Sequence, residues 1–328
     1  MEESAVALGA VHTAHAWGPI VVNRPASAEG RRLKVVAFNA CSGRSLDKIS
    51  IRLRRPPLNH PDIILLSEMD WRLRRSGRRE TVAELAADLG MSFAYVGEFG
   101  LSSPAGEPVA SVGNAILSNR PLTDVRVLPL ARTSTRRGIL WQLGAPAGLV
   151  AKVLMNRRPL AVGVTHLNSR WNPRGRELQI KQYLEGFPAE GPAIVGGDLN
   201  TTTADLSSPT SLIKVIALSL MQPRRFRSPQ RWEPLFQRLL EAGFDTAGAN
   251  VAGTATFTPS RLVPPILRPK LDWLALRGLK PVTGSAAVVP ARMSLFSPRF
   301  SDHDFIMCIV ETQADRESNP ALPSGRHY

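Results

Sequence analysis

The sequence predicts a mixed α/β sandwich in which packed sheets dominate and helices fill a minority of the connections. Three observations carry this reading. Apolar runs of strand length outnumber the amphipathic stretches between them, so a regular parallel βαβ series does not fit. No internal repeat is present. Polar residues recur at the ends of the apolar runs, which places one polar cluster along one rim of a sheet.

Residues 1–30 lack periodicity and close on Pro25, Ser27 and Gly30; they read as a loose tail with a short strand at 20–23. Residues 33–38 are an apolar run ending in Asn39. Over 45–54, Leu46, Ile49 and Leu53 share one helix face, and Pro56-Pro57 stops the helix. Residues 62–67 are a second buried-strand run ending in Glu68. Val82, Leu85, Ala86 and Leu89 give 81–89 one apolar helical side, with Gly90 as C-cap. Strands are predicted at 93–96, 115–118, 125–130, 149–154 and 160–165. A helix at 174–184 and a strand at 193–195, before Gly196-Gly197, follow. Residues 205–240 read as an insertion. Within it, 211–221 is apolar nearly all round except Lys214 and precedes PRRFRSPQRW. Strands at 271–276 and 305–310 close the set, and 313–328 form a second tail. One domain over 31–312 is expected.

A length of 328 residues allows a sizeable core. With 43% hydrophobic and 21% charged residues, the chain is not a disordered polyampholyte. Lys and Arg number 41 against 27 Asp and Glu, a formal charge of +14. The excess lies between the tails, since residues 1–30 hold Glu2, Glu3 and Glu29 against Arg24. A basic middle favours an anionic partner: nucleic acid, an anionic membrane surface or a phosphorylated small molecule. Cys41 and Cys308 make neither a disulfide framework nor a zinc-type spacing. No apolar stretch approaches the ~18 residues of a spanning helix. The start lacks the pattern of an export signal, so the expected address is the cytoplasm.

The polar residues carry the chemistry. Asn39, Glu68 and His166 end apolar runs, and Asp198 and Asn200 follow another. Asp272 begins a run, and Asp302 and His303 immediately precede the last one. Each alone has an ordinary reading as a solvated strand end or turn residue. As a set they form a rim of hydrogen-bonding and ionisable groups.

The motifs AFNA (37–40), LLSEMD (65–70), GNAILS (113–118), THLNSR (165–170), GGDLN (196–200), LDW (271–273) and SDH (301–303) together resemble the endonuclease/exonuclease/phosphatase superfamily, across about 33–310. The resemblance implies a DNase I-like four-layer α/β/β/α sandwich, two mixed sheets face to face with helices outside. It also implies hydrolysis of a phosphoester with Mg²⁺ or Mn²⁺. Glu68 matches the family's metal-binding glutamate, an oxygen ligand suited to a hard cation. Asn39 matches the asparagine that orders metal and phosphate, and Asp302 a second metal contact. Asp198 matches the aspartate that orients or deprotonates the attacking water. Asn200 matches the asparagine that bonds the phosphoryl oxygens. His303 matches the histidine at the scissile phosphate, and Asp272 the aspartate that fixes its ring. His166 matches a histidine that contacts phosphate or protonates the leaving oxygen. Asn114 and Arg170, in matched motifs, are implied to bind substrate.

Some positions depart from the pattern. Cys41 stands where some repair nucleases have a metal-binding Asp, and Phe305 where a proline is common. No tyrosine matches the one that holds a DNA phosphate, which argues against an abasic-site nuclease. Basic loops at 72–79, 170–176 and 224–231 are expected near the rim, as grips for a polyanion. Arg176 and Gln179 fit an Arg-x-x-Gln helix pattern with a structural role. The leading expectation is a monomeric metal-dependent phosphodiesterase or endonuclease using in-line attack by water, with nucleic acid among its candidate substrates. The alternative is a lipid phosphodiesterase of sphingomyelinase type on an anionic membrane surface, suggested by 211–231, or a phosphatase. A non-catalytic binding module is disfavoured, because no matched catalytic residue is replaced.

Overall fold

A computed structural model of the chain describes residues 17–25, 30–102, 108–132, 144–205, 217–218, 220–294 and 296–312. The expected tails before 17 and after 312, and most of the predicted 211–221 helix, lie outside the described residues.

Side-chain alternation sorts the core into three apolar layers. On the strand Arg32–Ser42, Leu33, Val35 and Ala37 face one layer, and Val36, Phe38 and Ala40 face another; all six are buried. A strand buried on both faces needs cover on both sides, which two sheets and two helical layers provide.

The strands are β1 (Trp17–Val22), β2 (Arg32–Ser42), β3 (Ile63–Trp71), β4 (Ser92–Ser102), β5 (Pro108–Ser118), β6 (Thr123–Pro129), β7 (Ala147–Met155), β8 (Arg158–Val164), β9 (Ala193–Asp198), β10 (Asp272–Arg277), β11 (Leu279–Pro281), β12 (Ala287–Val289) and β13 (Phe305–Thr312). The helices are α1 (Leu46–Leu53), α2 (Thr81–Leu89), α3 (Pro173–Leu184), α4 (Pro223–Arg227) and α5 (Leu235–Glu241). One sheet has the order β1-β4-β5-β3-β2-β13-β11, with β12 also on β13; the other runs β10-β9-β8-β7-β6. Only β2–β3 and β8–β9 pair in parallel among the described strands, so both sheets are mixed.

The inner layer takes Val35, Ala37, Leu65, Ala94 and Ile116 from the first sheet and Ala147, Leu149, Ala151, Val162 and Ile194 from the second. Beneath α1 and α2, Phe38, Ile64 and Leu66 meet Leu46, Ile49, Val82 and Leu85. Phe38 and Phe305 stack there with centroids 3.7 Å apart. Outside the second sheet, Val150, Val195 and Trp273 meet Ile180, Tyr183 and Leu239 of α3 and α5. The architecture is the four-layer α/β/β/α sandwich that the resemblance implied.

Several elements differ in extent from the sequence reading. β1 belongs to the sheet: it pairs with β4, and Asn23 exchanges two hydrogen bonds with Leu122 (3.0 and 2.7 Å). The presumed 205–240 insertion is not wholly separate either, because Leu235, Phe236 and Leu239 of α5 fill the layer beneath α3. β11 and β12 are too short to leave a periodic signature and were not expected. Arg176 and Gln179 are structural, as expected. Gln179 accepts from Asn168 N (2.9 Å) and donates to Ala131 O (2.8 Å). The Arg176 guanidinium is fully buried against Glu233, which also accepts Thr203 N at 2.7 Å. This pair ties α3 to the chain that follows Asn200.

Removing one member of that pair leaves the other charge buried without a partner, which typically costs about 3–5 kcal/mol. Arg176→Met is therefore expected to lower the urea midpoint strongly, and Arg176→Met with Glu233→Leu to recover part of the loss. A single variant as stable as the wild type would contradict this account.

Candidate active site

The rim is formed where β2, β3, β8 and β9 end and where β10 and β13 begin. Asn39 and Glu68 do not terminate their strands, as the sequence suggested; β2 and β3 continue to Ser42 and Trp71. Both lie at register breaks, between Asn39 and Ser42 and between Leu66 and Met69. Leu66 and Met69 both occupy the layer under the helices, three residues apart, so alternation is broken once between them. Glu68, at φ +54°, is thereby delivered to the cavity wall instead of the helical layer.

Asn39 links the two sheets. Its amide nitrogen donates to Glu68 Oε1 (3.1 Å) and to Asp198 Oδ2 (3.0 Å), while its Oδ1 accepts Cys41 N (3.0 Å). Asp198 ends β9 and is buried; its other oxygen accepts Asn200 N at 2.9 Å. Two imidazole nitrogens converge on Asp198 Oδ2, His303 Nε2 at 3.5 Å and His166 Nε2 at 3.6 Å. His166 Nε2 is also 3.9 Å from Glu68. Asn200 uses one amide hydrogen on Leu167 O (2.7 Å), which holds the segment carrying His166. Gly197 permits this approach: at φ +133° a Cβ would lie 2.1 Å from Thr165 O.

Asp272 begins β10 opposite Asp198 in the register and meets His303 Nδ1 at 2.8 Å. His303 N donates to Ser301 Oγ (3.1 Å), which donates to Asn39 O (2.9 Å). Phe257 covers the ring with centroids 4.8 Å apart. Burial opposes charge on His303, but Asp272 and Asp198 outweigh it and raise its pKa. The pair therefore favours imidazolium on His303. Burial likewise opposes charge on His166, and Asp198, Glu68 and Glu98 outweigh it.

These groups wall a cavity of about 440 Å³, of a size that takes a small ligand or a single nucleotide-sized group. Glu68, His166, Asp198, Asn200, Asp302, His303 and Arg170 all line it. Asn39 and Asp272 stand directly behind. Asn114 does not reach the cavity wall; its buried amide donates to Ala147 O (2.9 Å), so its placement is that of a scaffold group. The basic loops are more engaged than expected. Arg72, Arg75 and Arg79 pair with Glu80, Asp70 and Glu84, and Arg176 is sealed inside.

Glu98 was missed. It lies in β4, is 3% exposed and lines the cavity, and its Oε1 accepts Ala147 N at 3.0 Å. Burial pushes its carboxyl up to about 7. The available signal was a carboxylate inside a strand, flanked by Gly97 and Gly100, where a charge is costly unless it has a task. Cys41 lies beside Asp302 and Glu68; burial, then these two carboxylates, pushes its thiol up to about 11.

The donor chemistry fits a hard divalent cation. Glu68 and Asp302 offer carboxylate oxygens at the wall, and Asn39 an amide beside them. Asp198, Asp272 and His303 also bring ligand atoms within 4.8 Å of one another. There, however, His303 Nδ1 and Asp272 Oδ2 already meet at 2.8 Å. Glu68 and Asp302 lie outside that pairing.

The family model described as "Endonuclease/Exonuclease/phosphatase family" matches residues 36–303. Among solved structures, an endonuclease/exonuclease/phosphatase from Beutenbergia cavernae is 19% identical with a TM-score of 0.55, covering 86% of this chain and 72% of that one. The human Nocturnin catalytic domain with bound sulfate is 18% identical with a TM-score of 0.52, covering 90% and 97%. D. rerio TDP2 complexed with single-strand DNA product is 15% identical with a TM-score of 0.51, covering 86% and 100%. At these identities the likeness shows the fold. No curated protein matches the chain.

Glu98 has a raised folded-state pKa, so its contribution to stability is complete below about pH 4.5 and is lost as pH rises through about 7. The full difference is about 3 kcal/mol. Urea midpoints across this interval should fall more steeply for the wild type than for Glu98→Gln; parallel profiles would refute the assignment.

Proposed function

Because the chain belongs to the endonuclease/exonuclease/phosphatase family, we propose that it is a divalent-metal-dependent phosphodiesterase or nuclease that hydrolyses its substrate by in-line attack of water. The observation that carries this reading is the convergence on Asp198: an amide and a backbone N–H hold its carboxylate while two imidazoles approach one oxygen. The sulfate recorded with Nocturnin and the single-strand DNA product recorded with TDP2 are consistent with a phosphate-type group in such a cleft.

In this reading Glu68 and Asp302, with Asn39, would hold Mg²⁺ or Mn²⁺, which would supply charge neutralisation for a phosphoester in the cleft. Asp198 orients the water and accepts its proton. Its fixed hydrogen bonds aim the carboxylate without reorganisation during the reaction. The His303 imidazolium, maintained by Asp272, faces the charge that grows on the phosphoryl oxygens. Asn200 offers the amide hydrogen that Leu167 leaves unused. His166 delivers a proton to the departing oxygen. Arg170 at the wall draws in the anionic substrate. No covalent enzyme intermediate is required.

Turnover of bis-p-nitrophenyl phosphate tests the reading. Activity is expected with Mg²⁺ or Mn²⁺ and is expected to vanish with EDTA. Asp198→Asn should lower kcat by about 10²–10⁴-fold, the usual yield of general-base catalysis. Turnover that survives this change would remove Asp198 from its role. Glu68→Gln should raise the metal concentration needed for half-maximal rate, and an unchanged metal dependence would remove Glu68 as a ligand.

A further inference from the structure

Two segments linked to the cavity rim expose large aliphatic side chains among arginines. Leu220 and Met221, just ahead of α4, are 63% and 80% exposed. Leu262 and Ile266, on the excursion between Phe257 and Pro269, are 92% and 54% exposed. Both segments are fastened to the site. The base of the excursion is closed by Thr256 N and Phe257 N donating to Pro269 O (3.1 and 3.2 Å). Thr258 N donates to Asp302 O (2.7 Å), and Phe257 stands against His303. Lys270 N donates to Phe226 O (2.8 Å), and the helical turn Pro265–Leu267 packs against α4. Arg225 in turn holds Thr203 O (2.8 Å), beyond Asn200. The two segments are thus joined to each other and, through Phe257 and Thr203, to the residues around the cleft.

The charge on these joined segments has one sign. Residues 220–232 hold four arginines and no carboxylate. Residues 257–270 hold Arg261, Arg268 and the buried Lys270, again without a carboxylate. Arg224 and Arg261 are exposed. Burying one such side chain is worth roughly 1.5–3 kcal/mol, and here four stand exposed on two joined segments. A single-strand nucleic-acid track would favour exposed aromatic rings for stacking. Aliphatic side chains interspersed with guanidinium groups are instead the composition that seats in the interface of an anionic bilayer.

We propose that these joined segments form a docking surface for an anionic lipid bilayer. Leu220, Met221, Leu262 and Ile266 enter the acyl boundary, and Arg224 and Arg261 meet lipid phosphates. Docking there brings the cleft against the headgroup layer, so the accessible substrate class is a phosphoester held at the membrane surface. The substrate class rests on the hydrolytic reading; the docking itself does not.

Co-sedimentation of the full chain tests docking without turnover. Vesicles of phosphatidylcholine containing about one-third phosphatidylglycerol should capture it, and vesicles of phosphatidylcholine alone should not. Leu262→Glu with Met221→Glu should reduce the partition coefficient by about tenfold or more, at an unchanged melting midpoint. Arg224→Ala with Arg261→Ala should weaken the preference for anionic vesicles. The proposal is overturned if the wild type does not partition, or if either double variant partitions as the wild type does. It is equally overturned if the substitutions weaken single-stranded DNA binding while vesicle binding is kept. Wild-type turnover of the soluble diester, measured in parallel, reports separately on the hydrolytic reading.

Discussion

Asn39 donates to Asp198 across the gap between the two sheets, and His303 meets Asp272 across the same gap. The first sheet supplies Asn39, Glu68, Asp302 and His303; the second supplies His166, Asp198, Asn200 and Asp272. Neither half makes a site alone. Bringing them together concentrates carboxylates, and two like charges ~4 Å apart repel by about 4 kcal/mol at an effective dielectric of 20. Hydrogen bonds to a charged group return about 1.5–3 kcal/mol each. The rim therefore persists because amide, backbone N–H and imidazole donors are spread among the acids. The register breaks in β2 and β3 and the close approach at Gly197 serve that placement.

Much of this was legible in the sequence. The alternation in β2 and the apolar faces of α1 and α2 appear directly in residue order, so the layers could be anticipated. The rim residues were found because polar groups at the ends of apolar runs are conspicuous. What escaped depends on partners distant in sequence. Whether a strand bulges at Glu68 is decided by its pairing with β5, which no local pattern reveals. Asn114 looked like a substrate contact because its motif matched, yet its depth in the sheet points its amide at Ala147 O. Glu98 fell beyond the strand predicted at 93–96 and gained its setting only when the second sheet covered it.

The arginines make the same point about charge. A basic run in sequence suggests a free cationic surface, but Arg75 closes on Asp70 and Arg176 on Glu233. Net charge describes the chain, whereas availability is set by which carboxylates the fold brings near. Among the described residues, Arg132 and Arg170 line the cleft and Arg224 is exposed on α4, which gives the opening a directional character that the total of +14 does not convey.

The layer between the sheets is rich in alanine at its contact points, with Ala37, Ala94, Ala147 and Ala151 set among larger aliphatics. Small residues fix how closely the two halves can approach. Enlarging one would wedge the sheets apart and lengthen the Asn39–Asp198 and His303–Asp272 contacts together. Over evolutionary time the interior of this protein and its chemistry cannot drift independently. A change in side-chain volume far from the cleft is passed on as a change in the geometry of the rim. The helix-covered outer layers do not lie between the sheets, so they bear on this spacing less directly.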